Sequence, residues 1–134
     1  LVDATVLDLF AGSGALGIEA LSRGAAHVTF VDSAAASLRA IEANLDRTRF
    51  GDRARVVRAD ASRHVEVAPS VDLALLDPPY EFDGWEPLLS SLQAAVIVVE
   101  SDRPIALPPR YELRRDRRYG TTVVHIAQLQ EHDR

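Results

Sequence analysis

The sequence predicts an α/β fold: a doubly wound, mostly parallel sheet with helices on both faces and an antiparallel hairpin at its C-terminal end. Three observations carry this. Five short apolar runs alternate with segments of helical period, the pattern of a parallel sheet covered on both sides. A glycine-rich stretch follows the first run, where an open sheet of this kind binds its ligands. After Pro109 the rhythm changes to two extended runs around Tyr119-Gly120, the pattern of a hairpin.

"TVLDLF" (5–10) is a compact apolar run ending at glycines, a strand buried on both faces. In "AGSGALGIEALSRG" the glycines come first, Leu16, Ala20 and Leu21 follow at helical spacing, and Gly24 is a stop. "HVTFVD" (27–32) is a second strand. "SAAASLRAIEANLDR" (33–47) is a second helix, with Ser33 as its cap and Leu38, Ile41 and Leu45 on one stripe. "ARVVRAD" (54–60) is a third strand, and a weak helical segment begins near Ala61. "VDLALLD" (71–77) is a fourth strand. "DGWEPLLSSL" (83–92) is a helix with Pro87 inside its first turn. "AAVIVVES" (94–101) is a fifth strand, and "PIALPPR" (104–110) a proline-rich loop.

Composition bounds the function. The chain has 134 residues, 47% hydrophobic, with room for a real core. No apolar run approaches the roughly 20 residues of a membrane span, and no secretion signal opens the chain. There is no cysteine, which excludes disulfides and thiolate metal sites. A cytoplasmic location is the default. With no methionine, Leu1 is not a translation start; the expectation is one domain over 1–134 without its native N-terminal extension. All 15 basic residues are arginine and the formal charge is −5. That balance argues against nucleic-acid binding through the whole surface but leaves room for a local basic face.

Gly12, Gly14 and Gly17 spell G-x-G-x-x-G at the first strand–helix junction. Read literally this is a dinucleotide site, the mark of a dinucleotide-dependent oxidoreductase; the bland reading is a tight turn that needs glycine. Asp8 argues for another nucleotide. A carboxylate just before the loop would repel a pyrophosphate, at several kcal/mol if desolvated. It suits a ligand with an ammonium or a sulfonium. S-adenosylmethionine has both and no phosphate, and its carboxylate suits the amides of the turn and the helix start. Asp32 ends the second strand, where an acid grips ribose hydroxyls. Asp60 and Ala61 end the third, where an adenine edge can be read; Asp60 equally suits a helix cap.

"LDPPY" (76–80) closes the fourth strand with a carboxylate, two prolines and an aromatic ring. Neither proline offers an amide hydrogen, so the ladder stops there. The exocyclic amine of a nucleobase is a poor nucleophile because its lone pair is delocalised. Asp77 and the carbonyl of Pro78 can accept its hydrogen bonds, localise that pair and stabilise the positive charge of attack. Pro78 and Pro79 restrict the backbone. Tyr80 offers a stacking face. A plain strand-ending turn with a buried tyrosine is the alternative.

"VLDLFAGSGALGIEALSRGA", followed by "FVD", "NL", "DA" and "LDPPY" and later by "RRYGTT", resembles the RsmD family, the small bacterial 16S ribosomal RNA guanine-N2 methyltransferases. The resemblance covers nearly the whole chain and implies a Rossmann-like class I methyltransferase sheet. It implies S-adenosylmethionine as cofactor, S-adenosylhomocysteine as product, no metal, and 16S rRNA or the small ribosomal subunit as partner of a monomeric enzyme. By resemblance, Asp8, Ala11, Gly12, Ser13 and Gly14 contact the methionine part, Asp32 the ribose, and Asp60 and Ala61 the adenine. Phe10 and Ser33 complete that set, and Asp77, Pro78, Pro79 and Tyr80 handle the target amine. Family members carry a basic hairpin and a site-closing segment before the first strand; this chain begins at that strand. Adenine-N6 and cytosine-N4 methylation remain open, since the motif serves all three amines. So does a noncatalytic binding module.

Other residues carry less. Arg114, Arg115, Arg117 and Arg118 flank Asp116 near the predicted hairpin tip; they suit RNA phosphates or a charged, protected sheet edge. Arg47, Arg49, Arg53, Arg55 and Arg58 read as surface. Trp85 suits base stacking or, better, core packing. Glu19 and Arg23 form an i,i+4 pair. His27, His64, His125 and His132 show no metal or nucleophile spacing.

Overall fold

The chain, described by a computed structural model over residues 1–130, opens with β1 (Thr5–Leu9), α1 (Ala15–Ser22), β2 (His27–Asp32) and α2 (Ala35–Thr48). β3 (Ala54–Arg58), α3 (Ala61–Val67), β4 (Val71–Leu76), α4 (Trp85–Ser91) and β5 (Ala94–Ser101) follow, then the hairpin β6 (Tyr111–Tyr119) and β7 (Thr122–Leu129). His132 and the end of the predicted domain lie outside the described residues.

The strands form one sheet in the order β3-β2-β1-β4-β5-β7-β6. β1 to β5 are parallel, while β7 runs antiparallel between β5 and β6. The chain winds outward from β1 through β2 to β3, then returns to lay β4 on the other side of β1. That reversal opens a crevice beyond the carboxyl ends of β1 and β4, the place where ligands bind in such sheets.

Alternation along the strands feeds two apolar layers. Leu7, Leu9, Leu76, Ile97 and Val99 meet Val65 of α3 and Leu88 and Leu89 of α4. Val6, Val28 and Phe30 meet Leu21 of α1 and Ile41 and Leu45 of α2. β1 therefore has no solvent face beyond Thr5.

Three local expectations need correction. Leu16 is 39% exposed, not core; Gly17, Ala20 and Leu21 turn inward instead, because the glycine face allows the closest approach to the sheet. Ser33 does not cap α2. The cap residue is Ala34, with no side-chain cap bond, and the Asp32 carboxylate accepts from its amide at 2.9 Å, tying the strand end to the helix start. Glu19 and Arg23 pair as expected, at 2.8 Å. Arg53 is more than surface: it donates to the carbonyls of Leu21 and Ala25.

Candidate active site

The loop after β1 turns on left-handed residues: φ is 59° at Phe10, 59° at Gly12 and 83° at Gly14. The Gly14 amide donates to the Ala11 carbonyl at 2.8 Å, and the Ala11 amide to Val31 at 3.0 Å. The Gly12 amide donates to Asp32 Oδ2 at 2.9 Å. These bonds tie the loop to the end of β2 before any ligand binds. Gly17 serves packing: a Cβ there would stand 2.3 Å from Phe30 Cε1 and 2.9 Å from Asp8 Oδ2. The Gly17 amide donates to that same Asp8 oxygen at 3.1 Å.

Asp8 is 2% exposed. Burial lifts its pKa to about 7, against the Gly17 hydrogen bond that lowers it; the carboxylates of Asp77 and Asp32 push it further up. It forms no ion pair with any cation among the described residues. A buried acid facing other acids lacks a counter-charge.

Beside the loop lies a small hollow of about 50 Å³, whose walls include Phe10, Asp32, Ser33, Asp60 and Ala61. Five residues chosen from sequence as cofactor contacts thus meet in one place. Asp60 is also the cap of α3, accepting from the Arg63 amide at 3.2 Å; both of its suggested roles are compatible with this position. Ser13 is exposed at the loop tip, and its carbonyl accepts from Asn44 of α2.

Asp77 follows the last residue of β4. Leu76 is in register with Leu9 on one side and Val99 on the other, so Asp77 reaches the level of Phe10 and Glu100. The residue is exposed, yet its carboxyl is desolvated enough to lie above the ordinary range. Glu100 is raised too, by burial first and by Asp77 second. Pro78 is buried and Pro79 exposed, and the Pro79 carbonyl accepts from the Phe82 amide at 3.0 Å, closing a turn. Tyr80 is 62% exposed, so the buried-tyrosine alternative fails and its ring is open to a partner.

An aromatic row joins the two loops. Phe10 meets Phe82 edge-on at 5.1 Å, and Phe82 meets Trp85 likewise at 5.1 Å. Trp85 therefore packs against the core. Sequence reasoning missed Phe82, Glu100 and Arg103. Arg103 donates to the Tyr80 carbonyl and pairs with Asp102 at 2.9 Å. The strand-end rule could have found Glu100, which lies one residue before the end of β5 on the ligand rim. No signal pointed to Arg103 or Phe82.

A reversing seven-stranded sheet with this order, its glycine loop and its Asp-Pro-Pro-Tyr turn on one rim, has the Rossmann-like class I methyltransferase architecture. The profile of the family described as "Conserved hypothetical protein 95" matches residues 1–128, and the chain belongs to that family. It is 37% identical to the "Putative rRNA methyltransferase YlbH" of Bacillus subtilis, over 90% of this chain and 73% of that one. It is 33% identical to "Ribosomal RNA small subunit methyltransferase D" of Escherichia coli, over 96% and 70%. A solved structure, "Putative methyltransferase yhhF" from Escherichia coli, superposes with a TM-score of 0.87 at 32% identity, covering 96% of this chain and 77% of that one. The resemblance to the RsmD family drawn from the motifs thus extends along nearly the whole chain.

Proposed function

We propose that this chain is an S-adenosylmethionine-dependent methyltransferase that modifies the exocyclic N2 amine of a guanine in 16S ribosomal RNA. The observation that carries the reading is the meeting, on one rim, of a buried acid without a counter-cation and the Asp-Pro-Pro-Tyr turn. The family and the RNA-modifying relatives support the polymer; the guanine amine rests on the RsmD resemblance.

The residues fit the cofactor. Asp8, desolvated and unpaired, favours a cationic ligand and disfavours pyrophosphate, which counts against the dinucleotide-dependent oxidoreductase. Asp8, Ala11, Gly12, Ser13 and Gly14 would hold the methionine end, and Phe10, Asp32, Ser33, Asp60 and Ala61 the nucleoside. When bound, S-adenosylmethionine supplies an electrophilic methyl on a positively charged sulfur and leaves as S-adenosylhomocysteine. Asp77 accepts one hydrogen of the target amine and the Pro78 carbonyl the other. Together they turn the nitrogen lone pair outward and stabilise the positive charge that forms on it. A carboxyl held above its usual pKa is also the better acceptor of the amine's departing proton. Pro78 and Pro79 fix the turn, and Tyr80 gives the extruded base a face to stack on. Among the described residues no group of three or more His, Cys, Asp or Glu could hold a metal ion, and none of the described helices is long and apolar enough to cross a membrane. The same reading takes the protein as a cytoplasmic monomer of one domain.

Transfer of labelled methyl from the cofactor to small ribosomal subunits lacking the modification, with mass analysis of the nucleosides, tests this. N2-methylguanosine is the expected product. Asp77→Ala should lose roughly a hundredfold or more in rate while cofactor affinity stays within about threefold. N6-methyladenosine or N4-methylcytidine would move the substrate to another amine. Binding of NAD without S-adenosylmethionine would overturn the class, and cofactor binding without turnover would leave a noncatalytic module.

A further inference from the structure

β6 is the outermost strand of the sheet, and every residue in it after Tyr111 is exposed. It carries Arg114, Arg115, Arg117 and Arg118. Two acids stand among them. Asp116 stands 3.1 Å from Nδ1 of buried His125 on β7, and Glu112 pairs with Arg114 at 3.6 Å. The side chains of Arg115, Arg117 and Arg118 make no ion pair or hydrogen bond among the described residues. In a chain of formal charge −5, three free guanidiniums along one strand are a local reversal of sign.

Register puts this strand beside the rim. Arg117 pairs with Val124, and Val124 with Glu100, the residue level with Asp77; Arg118 pairs with Val123, and Val123 with Ser101 at the end of β5. Arg117 is thus about three strand spacings, roughly 14 Å, across the sheet from the Asp77 level. Arg115, Arg117 and Tyr119 alternate onto one face and Arg118 onto the other. Tyr119, 65% exposed, stands at the tip, where Gly120 takes φ +60° to make the tight turn.

We propose that β6 is the contact surface for the phosphodiester backbone of the RNA flanking the target nucleotide, with Arg115, Arg117 and Arg118 on phosphates and Tyr119 against a neighbouring base. This rests on the RNA reading above. Arginine's planar fork suits phosphate, and an aromatic ring beside such cations is the usual platform for unpaired nucleotides. Pairing of the open edge with a second copy is disfavoured, because an isologous edge would set arginine against arginine.

The test is the triple variant Arg115→Gln, Arg117→Gln, Arg118→Gln, measured for binding to a 16S rRNA transcript across a potassium chloride series. Three lost phosphate contacts should weaken binding about tenfold or more near 0.15 M salt. They should also flatten the slope of log affinity against log salt by about two. Cofactor affinity by calorimetry and the thermal midpoint should not move. The triple lysine variant should keep most of the salt slope. An unchanged affinity and slope in the glutamine variant would overturn the inference, as would a wild type that binds no RNA at low salt. So would a wild-type dimer in light scattering that the substitutions dissociate. If the transcript binds through β6 but is never methylated, the functional reading fails and this surface stands.

Discussion

A methyl group added at Gly17 would collide with the Phe30 ring, at 2.3 Å, and crowd the buried Asp8 carboxylate. Phe30 is fully buried and has nowhere to move. Gly17→Ala should therefore destabilise the fold by about 1–3 kcal/mol through overpacking, read as a lower midpoint in denaturant. Gly12, by contrast, has nothing within 4 Å of a notional Cβ, and only its left-handed φ resists substitution. The sequence spelled three equivalent glycines, but the roles divide: one lets the helix touch the sheet, the others shape the loop. That division was invisible because it depends on which ring from β2 lies underneath. Asp8 was legible, since its charge beside a ligand loop has the same meaning in any fold of this class. Glu100 could be placed at a strand end but not next to Asp77, because the order β1-β4-β5 was not yet known.

Elements were the most legible scale. Every strand and helix expected from periodicity is present, because each apolar run matches one buried face or two, and turn residues separate them. What escaped was the connection from β5 to β6. "PIALPPR" has no period, and its prolines announce only a loop. In the structure this segment is pinned along its length: Arg103 donates to the Tyr80 carbonyl, the Ile105 amide to His125 Nε2 at 3.0 Å, and Arg110 to the Ser90 carbonyl at 2.6 Å, while the Pro109 carbonyl accepts from Gln130 at 3.0 Å. His125, set aside from the sequence for lack of a spacing pattern, is a buried strap anchor. Its Nε2 accepts the Ile105 bond, and its Nδ1 stands 3.1 Å from Asp116 Oδ1. If the Asp-Pro-Pro-Tyr turn handles the amine as proposed, the bond to the Tyr80 carbonyl makes Arg103 a positioning residue for it. Arg103→Ala should lower kcat several-fold with cofactor affinity and thermal midpoint nearly unchanged, and Arg103→Lys should restore part of the rate. A uniform loss of midpoint in both variants would make the contact merely structural.

At the scale of the whole molecule, the winding of the sheet gathers acids onto one rim. Asp8, Asp77 and Glu100 all have raised pKa values, with burial the largest cause for each, and carboxylate repulsion adds to two of them. For an acid whose folded pKa exceeds its unfolded value, the native state binds more protons between the two. Its contribution to stability is whole below the unfolded value, near 4, and is lost as pH rises through the folded value. For Asp8 that window runs from 3.8 to about 7, a loss on the order of 4 kcal/mol from a three-unit shift. Asp8→Asn keeps an oxygen for the Gly17 amide but cannot ionise. Its thermal midpoint should therefore rise relative to wild type between pH 5 and pH 8, with little difference near pH 4. A cationic ligand reverses the sign, because it favours the ionised acid. Affinity for S-adenosylmethionine should accordingly increase with pH up to about 7 and then level off, with proton release on binding below that point. In Asp8→Asn the affinity should be weak and this pH dependence should flatten. Calorimetry in two buffers of different ionisation enthalpy reads the released proton directly. If the wild type releases none at pH 6, Asp8 is not the counter-charge of the cofactor.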